Sequence, residues 1–412
     1  MRAAAVLNRL LGFKGTVVDD VSFTDTAIVI GVRLRSKTLV CPCGRTSRAR
    51  YDCSRRRWRH VDFGRHQVLI EAVIRRVDCR GCGQVRTEWM PWARPGARHT
   101  QDFEDMAGWL ARRMSKAGVA MLLRTTWQTI DTLVNRLVDT CLDTDRLNGL
   151  YRIGVDEIAY RKGRKFLTVV TDHDTGRVLH LAEGRTSAAL TAFYDLLGAD
   201  RRARIQAVTM DMTRTYREPT LEHLPQAAIC YDPFHVIKWA GEALDQAHLG
   251  LPRPTTEITV TGLTAAQTWR RVRSTLRSAA ENLDATGTAI IDRLRIRHRK
   301  LHRAWQLKER LRDLYRTVAP ADATAYLKQW ISSAKRSAIN GFVVLARRIT
   351  RNFDGIINAI HHQLSNSLTE SINGGIRLIQ RRAHGYASLD NLVEMIYFCH
   401  GGVRTKLPTG TL

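Results

Sequence analysis

The spacing of apolar residues predicts a helical stretch followed by strands. Between residues 101 and 142, apolar side chains recur every three or four positions, which predicts three short helices. From Gly149 onward the apolar period is two, which is typical of strands. The predicted strands are 151–156, 166–171 and 177–182.

The elements that follow indicate a mixed sheet. A helix is predicted over 186–197, and strands over 205–210 and 227–231 flank a short helical turn. The order β-β-β-α-β-α-β is typical of a sheet with both parallel and antiparallel neighbours. From about residue 233 the pattern is helical and strongly basic to about 345, and helices are predicted again at 355–380 and 388–400.

The net charge points to a polyanionic partner. Sixty-five Lys and Arg against thirty-nine Asp and Glu give a charge of +26 over 412 residues. The excess is spread through folded segments, which favours nucleic acid, although a ribosomal or membrane-surface protein stays open. No apolar run approaches the ~20 residues of a spanning helix, and the first residues do not resemble a signal peptide. We therefore expect a cytoplasmic protein without a membrane or small-molecule partner.

Four of the eight cysteines form two pairs that suit one structural zinc ion. The pairs are Cys41 with Cys43 and Cys79 with Cys82, and a glycine follows each pair. The first pair is one residue shorter than the usual C-x-x-C, so other ligands stay open. These are Cys53, His60 and His66. Reduced surface cysteines beside a turn are the alternative interpretation.

Between the cysteine pairs lies a basic, strand-like segment. Arginine pairs bidentately with phosphate, so this segment is a candidate DNA-backbone surface, with a solvated charged face as the alternative. The candidate contacts are Arg55, Arg56, Arg57 and Arg59.

The three helices predicted between 101 and 142 suggest a helix-turn-helix. Thr125 or Thr126 would cap the third helix, whose exposed face would carry Gln128 and Asn135. Both side-chain types can read adenine in the major groove. A generic three-helix packing module fits the same pattern.

Three carboxylates are candidates for a metal-dependent nuclease site. Asp156 and Asp211 each follow an apolar, strand-like run, and Glu370 lies in a helix-like stretch. In an RNase H-like sheet the first strand is central and the fourth lies beside it in parallel, so the two aspartates would be neighbours. Two Mg²⁺ (or Mn²⁺) ions held by such carboxylates can promote phosphodiester chemistry. Glu157 is expected on the opposite face of its strand.

Five segments resemble the ISL-three insertion-sequence family of bacterial transposases. Gly154–Gly163 resembles its first-aspartate motif, and Thr209–Tyr216 its second. Tyr231–Ile237 is similar to its Asp-x-Phe-His-Val block. Ser365–Asn373 resembles the glutamate motif, and Arg382–Tyr386 the segment after it.

The resemblance implies an α/β multidomain protein with an RNase H-like catalytic core. A helical insertion would interrupt the core, and a zinc-binding domain and a helix-turn-helix module would precede it. Asp156, Asp211 and Glu370 would be the catalytic metal ligands. Side chains positioning the metal ligands or the DNA would be Asp232, His235, Asn366 and Asn373. For Asp232 and His235, a helix cap and a packed histidine are the alternative.

These expectations give a domain plan and a function. The predicted segments are the zinc-binding domain 1–95, the helix-turn-helix 96–148, the core 149–242, the insertion 243–345 and the rest of the core 346–412. We expect a nucleoid-associated DNA transposase that binds terminal inverted repeats and target DNA as a homodimer or larger assembly. An inactive DNA-binding regulator and a cellular RNase H-like nuclease are the alternatives.

Overall fold

The fold consists of two compact units. The structure is a computed structural model and describes residues 3–143, 145–163, 165–249, 260 and 262–404. Met1–Asp143 and Leu378–Leu412 form one unit, and Thr144–Arg377 form the other. The five-part division predicted from the sequence is finer than this and stays a prediction. Among the described residues, no helix has the length and apolar character needed to cross a membrane.

A five-stranded sheet forms the N-terminal part of the first unit. After helix α1 (Ala3–Leu11), its strands run in the order β1-β2-β6-β5, and β7 pairs with β6. Strands β2 and β6 are parallel, and the other pairs are antiparallel. The strands are β1 (Thr16–Phe23), β2 (Ala27–Leu34), β5 (Asp52–Phe63), β6 (His66–Cys79) and β7 (Gln84–Thr87); β3 (Leu39–Val40) and β4 (Thr46–Ser47) form a separate small pair.

Helices complete the first unit. The three predicted helices are confirmed as α2 (Gln101–Ala111), α3 (Lys116–Leu122) and α4 (Trp127–Cys141). Thr126, the second of the two predicted candidates, caps α4 by accepting a 3.2 Å hydrogen bond from the Thr129 amide. The C-terminal helix α15 (Leu389–His400) packs against α4.

The second unit contains the mixed sheet. Its order is β10-β9-β8-β11-β12, so the first strand of the sheet is central. Strands β9 and β10 continue from β8 in antiparallel fashion, whereas β11 and β12 are parallel to it. The strands are β8 (Arg152–Arg161), β9 (Lys165–Asp172), β10 (Val178–Glu183), β11 (Ala207–Met210) and β12 (Ala228–Tyr231).

Helices pack with this sheet, and those from Pro233 to Arg351 cover the basic helical stretch predicted over about 233–345. The apolar faces of the helices up to His361 share one core with the strands, and Trp330 lies in it with its indole N–H donating to the Leu307 carbonyl at 2.8 Å. The helices are α5 (Ser187–Arg202), α6 (Arg214–His223), α7 (Pro233–Leu249), α8 (Ala265–Arg277), α9 (Ala285–Arg297), α10 (Arg299–Arg316), α11 (Ala323–Lys335), α12 (Asn340–Arg351), α13 (Phe353–His361) and α14 (Ser367–Arg382).

Candidate active site and metal centres

Strand register places the two predicted catalytic aspartates side by side. In the parallel pair β8 and β11, Gly154 lies opposite Thr209. Asp156 and Asp211 each lie two residues further along and therefore reach the same level at the carboxyl end of the sheet. One carboxylate oxygen from each lies within 4.8 Å of the other.

A third aspartate reaches the same level from the next strand. Met210 lies opposite Tyr231 in the parallel pair β11 and β12, so Asp232 is level with Asp211. His235, in the first turn of α7, lies between them. Its Nδ1 is 2.8 Å from Asp211 Oδ1 and 3.4 Å from Asp232 Oδ2.

Glu157 contradicts the sequence expectation, because it faces the site rather than the opposite side of the sheet. Its carboxylate lies within 4.8 Å of those of Asp156 and Asp211. Strand β11 pairs with β8 only as far as Gly154. Beyond that residue β8 has no paired strand on this side among the described residues, and the longer glutamate side chain can reach the same cavity. Its partner on the outer side is Arg185, at 3.5 Å.

Helix α14 is docked on the sheet by amides and hydroxyls. Asn366 accepts a 2.7 Å hydrogen bond from the Thr209 hydroxyl and donates to the Val155 carbonyl at 3.3 Å. The Thr369 and Thr171 hydroxyls are 2.8 Å apart. Gly154 makes this close approach possible, because a Cβ there would lie 2.8 Å from the Thr171 hydroxyl and closer still to that of Thr369.

The same helix brings Glu370 to the cavity. Asn373 donates a 2.8 Å hydrogen bond from Nδ2 to Asp156 Oδ2. Glu370 and Arg377 line the same open cavity of about 480 Å³ as the two aspartates. Glu370 is exposed, and within the described residues it belongs to neither of the tight acidic groups. It therefore shares the cavity with Asp156 and Asp211 at a looser spacing than theirs.

The pKa values of Asp156, Glu157 and Glu370 in this cavity are raised. Burial, together with the neighbouring carboxylates, raises the pKa of Asp156 to about 7. Burial also raises the pKa of Glu157 and Glu370, with contributions from Asp211 and Asp232 respectively. The pKa of His235 is raised by its hydrogen bond with Asp211. Such a crowded group of acidic oxygens fits hard divalent cations, which would offset the repulsion.

The cysteine pairs come together at the far end of the β6–β7 hairpin. All four sulfur atoms lie within 4.8 Å of one another, with Cys41 Sγ to Cys82 Sγ at 3.8 Å and Cys43 Sγ to Cys79 Sγ at 3.6 Å. Sulfurs in a tetrahedral zinc site, each ~2.3 Å from the metal, are roughly 3.8 Å apart. The spacing of the four thiols therefore fits one zinc ion.

Two tight turns hold the cysteines in place. Gly44 and Gly83, with φ of 89° and 64°, adopt the left-handed conformation that glycine favours. The backbone N–H of Arg45 lowers the pKa of Cys43 to about 6, which favours the metal-binding thiolate. Cys53, one of the alternative ligands, is exposed and lies outside the cluster.

The other two alternative ligands also lie outside the cluster. His60 Nδ1 is 2.8 Å from the Thr100 hydroxyl, and His66 lies at the hairpin between β5 and β6, beside Arg65.

The predicted arginine contacts differ in their surroundings. Arg55 and Arg57 are exposed and share Glu71, at 3.1 and 2.6 Å. Arg56 donates to the Ala97 carbonyl at 2.9 Å, and Arg59 pairs with Asp62. The structure therefore leaves Arg55 and Arg57 more accessible to DNA than the other two.

The two predicted base-contacting residues of α4, the third of these helices, also differ in exposure. Gln128 is exposed near the start of α4, beside an open cavity that Arg98 also lines. Asn135, two turns later, is half-buried. Asp131 pairs with Lys116 of α3 and so helps to hold the two helices together.

Comparisons with known proteins identify the class of this chain and then its family. A family model described as "Transposase" matches residues 153–396, which include Asp156, Asp211 and Glu370. A second, described as "Helix-turn-helix domain of transposase family ISL3", matches residues 90–138. The chain belongs to the ISL3 family of insertion-sequence transposases. The resemblance inferred from the five sequence motifs is thereby confirmed.

Two relatives match nearly end to end. The transposase for insertion sequence element IS1557 of Mycobacterium tuberculosis is 36% identical, over 99% of this chain and 98% of the relative. The transposase for insertion sequence element IS1001 of Bordetella parapertussis is 28% identical, over 92% and 94%. The protein is a DNA transposase with a helix-turn-helix domain, and thus a DNA-cleaving and strand-transfer enzyme.

Proposed function

We propose that this transposase uses Asp156, Asp211 and Glu370 to hold two divalent ions, Mg²⁺ or Mn²⁺, in an RNase H-like core. The observation that carries the proposal is the matched register of Asp156 and Asp211 at adjacent parallel strand ends. Helix α14, docked through Asn366 and Asn373, supplies Glu370 to the same cavity. The strand order, with the first strand central and two parallel strands beside it, supports the RNase H-like assignment.

Bound ions would activate water for donor cleavage, and then a 3′-hydroxyl for strand transfer, while stabilising the leaving oxygen. The chain's own residues prepare the site. Asn373 fixes the orientation of Asp156 through the 2.8 Å hydrogen bond to Oδ2. His235 holds Asp211, and Asp232 accepts a hydrogen bond from the Asn366 amide at 3.3 Å. Asp232 and His235 therefore act as positioning residues.

The N-terminal unit would recognise the terminal inverted repeats of the element. Gln128 at the start of α4 would read bases in the major groove, with Asn135 as a more limited contributor. Arg55 and Arg57 would contact the DNA backbone. One zinc ion on the four cysteines would hold the knuckle that ends the β6–β7 hairpin. Because two DNA ends must meet, we expect a homodimer or larger assembly at the nucleoid.

The proposal is tested by cleavage of duplexes that carry the element's ends. Asp156→Asn and Glu370→Gln should abolish Mg²⁺-dependent nicking and leave binding to the same duplex unchanged. Full cleavage by either variant would refute the assignment. Any Mg²⁺-dependent cleavage by the unaltered protein excludes the inactive regulator, and restriction of cleavage to the terminal repeats excludes a general nuclease.

A further inference from the structure

The junction between α9 and α10 is strongly basic. Helix α9 ends at Arg297 and α10 begins at Arg299, with His298 alone between them. No Asp or Glu occurs in the sequence from residue 293 to residue 308. Within the part of the chain that the structure describes, four exposed cations here have no carboxylate within 4.0 Å. We call them the α9–α10 corner: Arg293, Arg297, Arg299 and Lys300.

Several arginines in other parts of the basic region are paired with carboxylates. Arg273 and Arg277 of α8 share Asp245, at 3.2 and 2.6 Å. Arg316, at the other end of α10, contacts Glu281 at 2.5 Å. The absence of carboxylates is therefore a local property of the corner and not of the whole basic region.

The start of α10 is electrostatically unfavourable without an anion. Cations in a first helical turn oppose the helix dipole, and α10 begins with Arg299 and Lys300. His298 supplies no side-chain cap to the free backbone N–H groups. Lys300 also lines an open cavity of about 260 Å³ with Asn340, where α12 begins, again without a side-chain cap. A phosphate placed here would meet cations and free amides together.

Helix α7 relates the corner to the active site. Its first turn carries His235, and Gln246, near its end, lines the same cavity as Lys300. At ~1.5 Å per residue, these two positions of α7 are roughly 16 Å apart along the helix.

We propose that the α9–α10 corner binds the phosphate backbone of duplex DNA without reading its sequence. The proposal depends on the proposed placement of the reaction at Asp156 and Asp211. Three exposed guanidinium groups and one ammonium group, none with a carboxylate within 4.0 Å among the described residues, suit the negative charge of a phosphate backbone. Because such contacts are made to phosphates alone, the corner could bind DNA within the repeat, flanking DNA or target DNA in the same way.

Two variants of equal charge provide the test. The corner variant carries Arg293→Gln, Arg297→Gln, Arg299→Gln and Lys300→Gln. The control, which removes four paired arginines, carries Arg271→Gln, Arg273→Gln, Arg277→Gln and Arg316→Gln. Dissociation constants for a random-sequence duplex are measured against salt concentration without added Mg²⁺ or Mn²⁺. We expect the corner variant to bind ~10-fold more weakly or worse, with a salt slope shallower by about three, and the control to change less than ~3-fold.

A second corner variant distinguishes a loss of DNA binding from a loss of folding. Arg299→Glu with Lys300→Glu places carboxylates in the first turn of α10, where the helix dipole favours them. Its melting temperature should equal or exceed that of the unaltered protein, while binding to the random duplex falls. Full binding by this folded variant would overturn the proposal.

Further duplexes show which part of the DNA the corner contacts, and further comparisons give the results that would overturn the proposal. Repeat ends with and without flanking DNA show on which side of the cleavage point the corner makes its contribution. Equal losses in the corner and control variants would mean a general field effect and would overturn the proposal. Loss of self-association without loss of DNA binding would assign the corner to a protein interface instead. Because binding is measured without added Mg²⁺ or Mn²⁺, a failure of metal-dependent cleavage by the unaltered protein is a separate result.

Discussion

The cysteine cluster and the acidic cavity are both candidate metal centres, yet they are assembled differently. The four sulfurs come from two short turns and already lie at spacings of 3.6 and 3.8 Å that suit one ion. In the acidic cavity, Asp156 and Asp211 come from neighbouring strands and Glu370 from a helix more than 150 residues further along the chain. Glu370 is exposed and stands apart from the close pair.

The difference has a physical basis. Thiols beside the single low-pKa thiol of Cys43 can approach one another without a metal, whereas crowded carboxylates repel, and burial raises the pKa of Asp156 to about 7. The cysteine site therefore holds its shape through local turns. The acidic site holds its shape through hydrogen bonds from Asn366, Asn373 and His235. On the proposed function, we expect bound ions and DNA to draw Glu370 closer to the two aspartates.

The largest expected effect is a loss of stability when the cysteine cluster cannot bind zinc. Removing zinc, by Cys79→Ser or a strong chelator, should destabilise the N-terminal unit by several kcal/mol, since structural zinc binding contributes about 10–16 kcal/mol in small zinc domains. Zinc content and thermal unfolding measure the effect. Cys53→Ser is the matched control, because Cys53 is exposed and lies outside the cluster. This variant should retain one equivalent of zinc. Less than half an equivalent in the unaltered protein would contradict the ligand set.

On the acidic side, Asp211 and Asp232 should differ in the size of their effect. Asp211→Asn removes a metal ligand and should reduce cleavage by about 10³-fold or more, since a bound ion supplies several kcal/mol to the transition state. Asp232→Asn alters a positioning group and should reduce it by ~10–100-fold. Single-turnover cleavage at saturating Mg²⁺ measures both. The reverse order would make Asp232 the ligand.

Ionisation of Asp156 should make metal-free stability depend on pH. Its pKa rises from the usual 3.8 to about 7 on folding, so the folded state retains a proton that the unfolded state releases between these values. Stability is therefore lost as pH rises through this window. Asp156→Asn should stabilise the metal-free protein at pH 8 by about 2 kcal/mol, after allowance for its partial exposure. Chemical denaturation measures this, and a less stable variant would contradict the account.

The smallest expected effect concerns the docking of α14. Gly154→Ala should displace Thr369, destabilise the protein by about 1.5 kcal/mol and reduce cleavage, because Glu370 moves with the helix. Gly374→Ala on the same helix is the control. A Cβ there meets nothing within 4 Å, and alanine favours the helix by about 1 kcal/mol. Unchanged cleavage in Gly154→Ala would show that the close approach of α14 is dispensable.

Periodicity and motifs predicted much of this arrangement. The strand pattern and the family motifs predicted that Asp156 and Asp211 would be neighbours, and the strand register confirms it. The three helices before the sheet and the cap at Thr126 could also be predicted, because helical periodicity and capping residues are local features of the sequence.

What the sequence could not predict depends on contacts between distant segments. Alternation placed Glu157 on the wrong face, because it does not record that β11 ends before this point. The hydrogen bonds between Thr209 and Asn366, and between Thr171 and Thr369, join residues far apart in the chain. The packing of α15 against α4 likewise has no signal in local periodicity.

The most direct test of the central claim is the number and position of divalent ions in a crystal grown with Mn²⁺ and repeat-end DNA. Anomalous scattering locates the ions independently of activity. We predict two Mn²⁺ ions in the cavity, both in contact with Asp156 or Asp211, and loss of one ion in Glu370→Gln. Fewer than two ions, or the same two with Glu370 touching neither, would contradict the account.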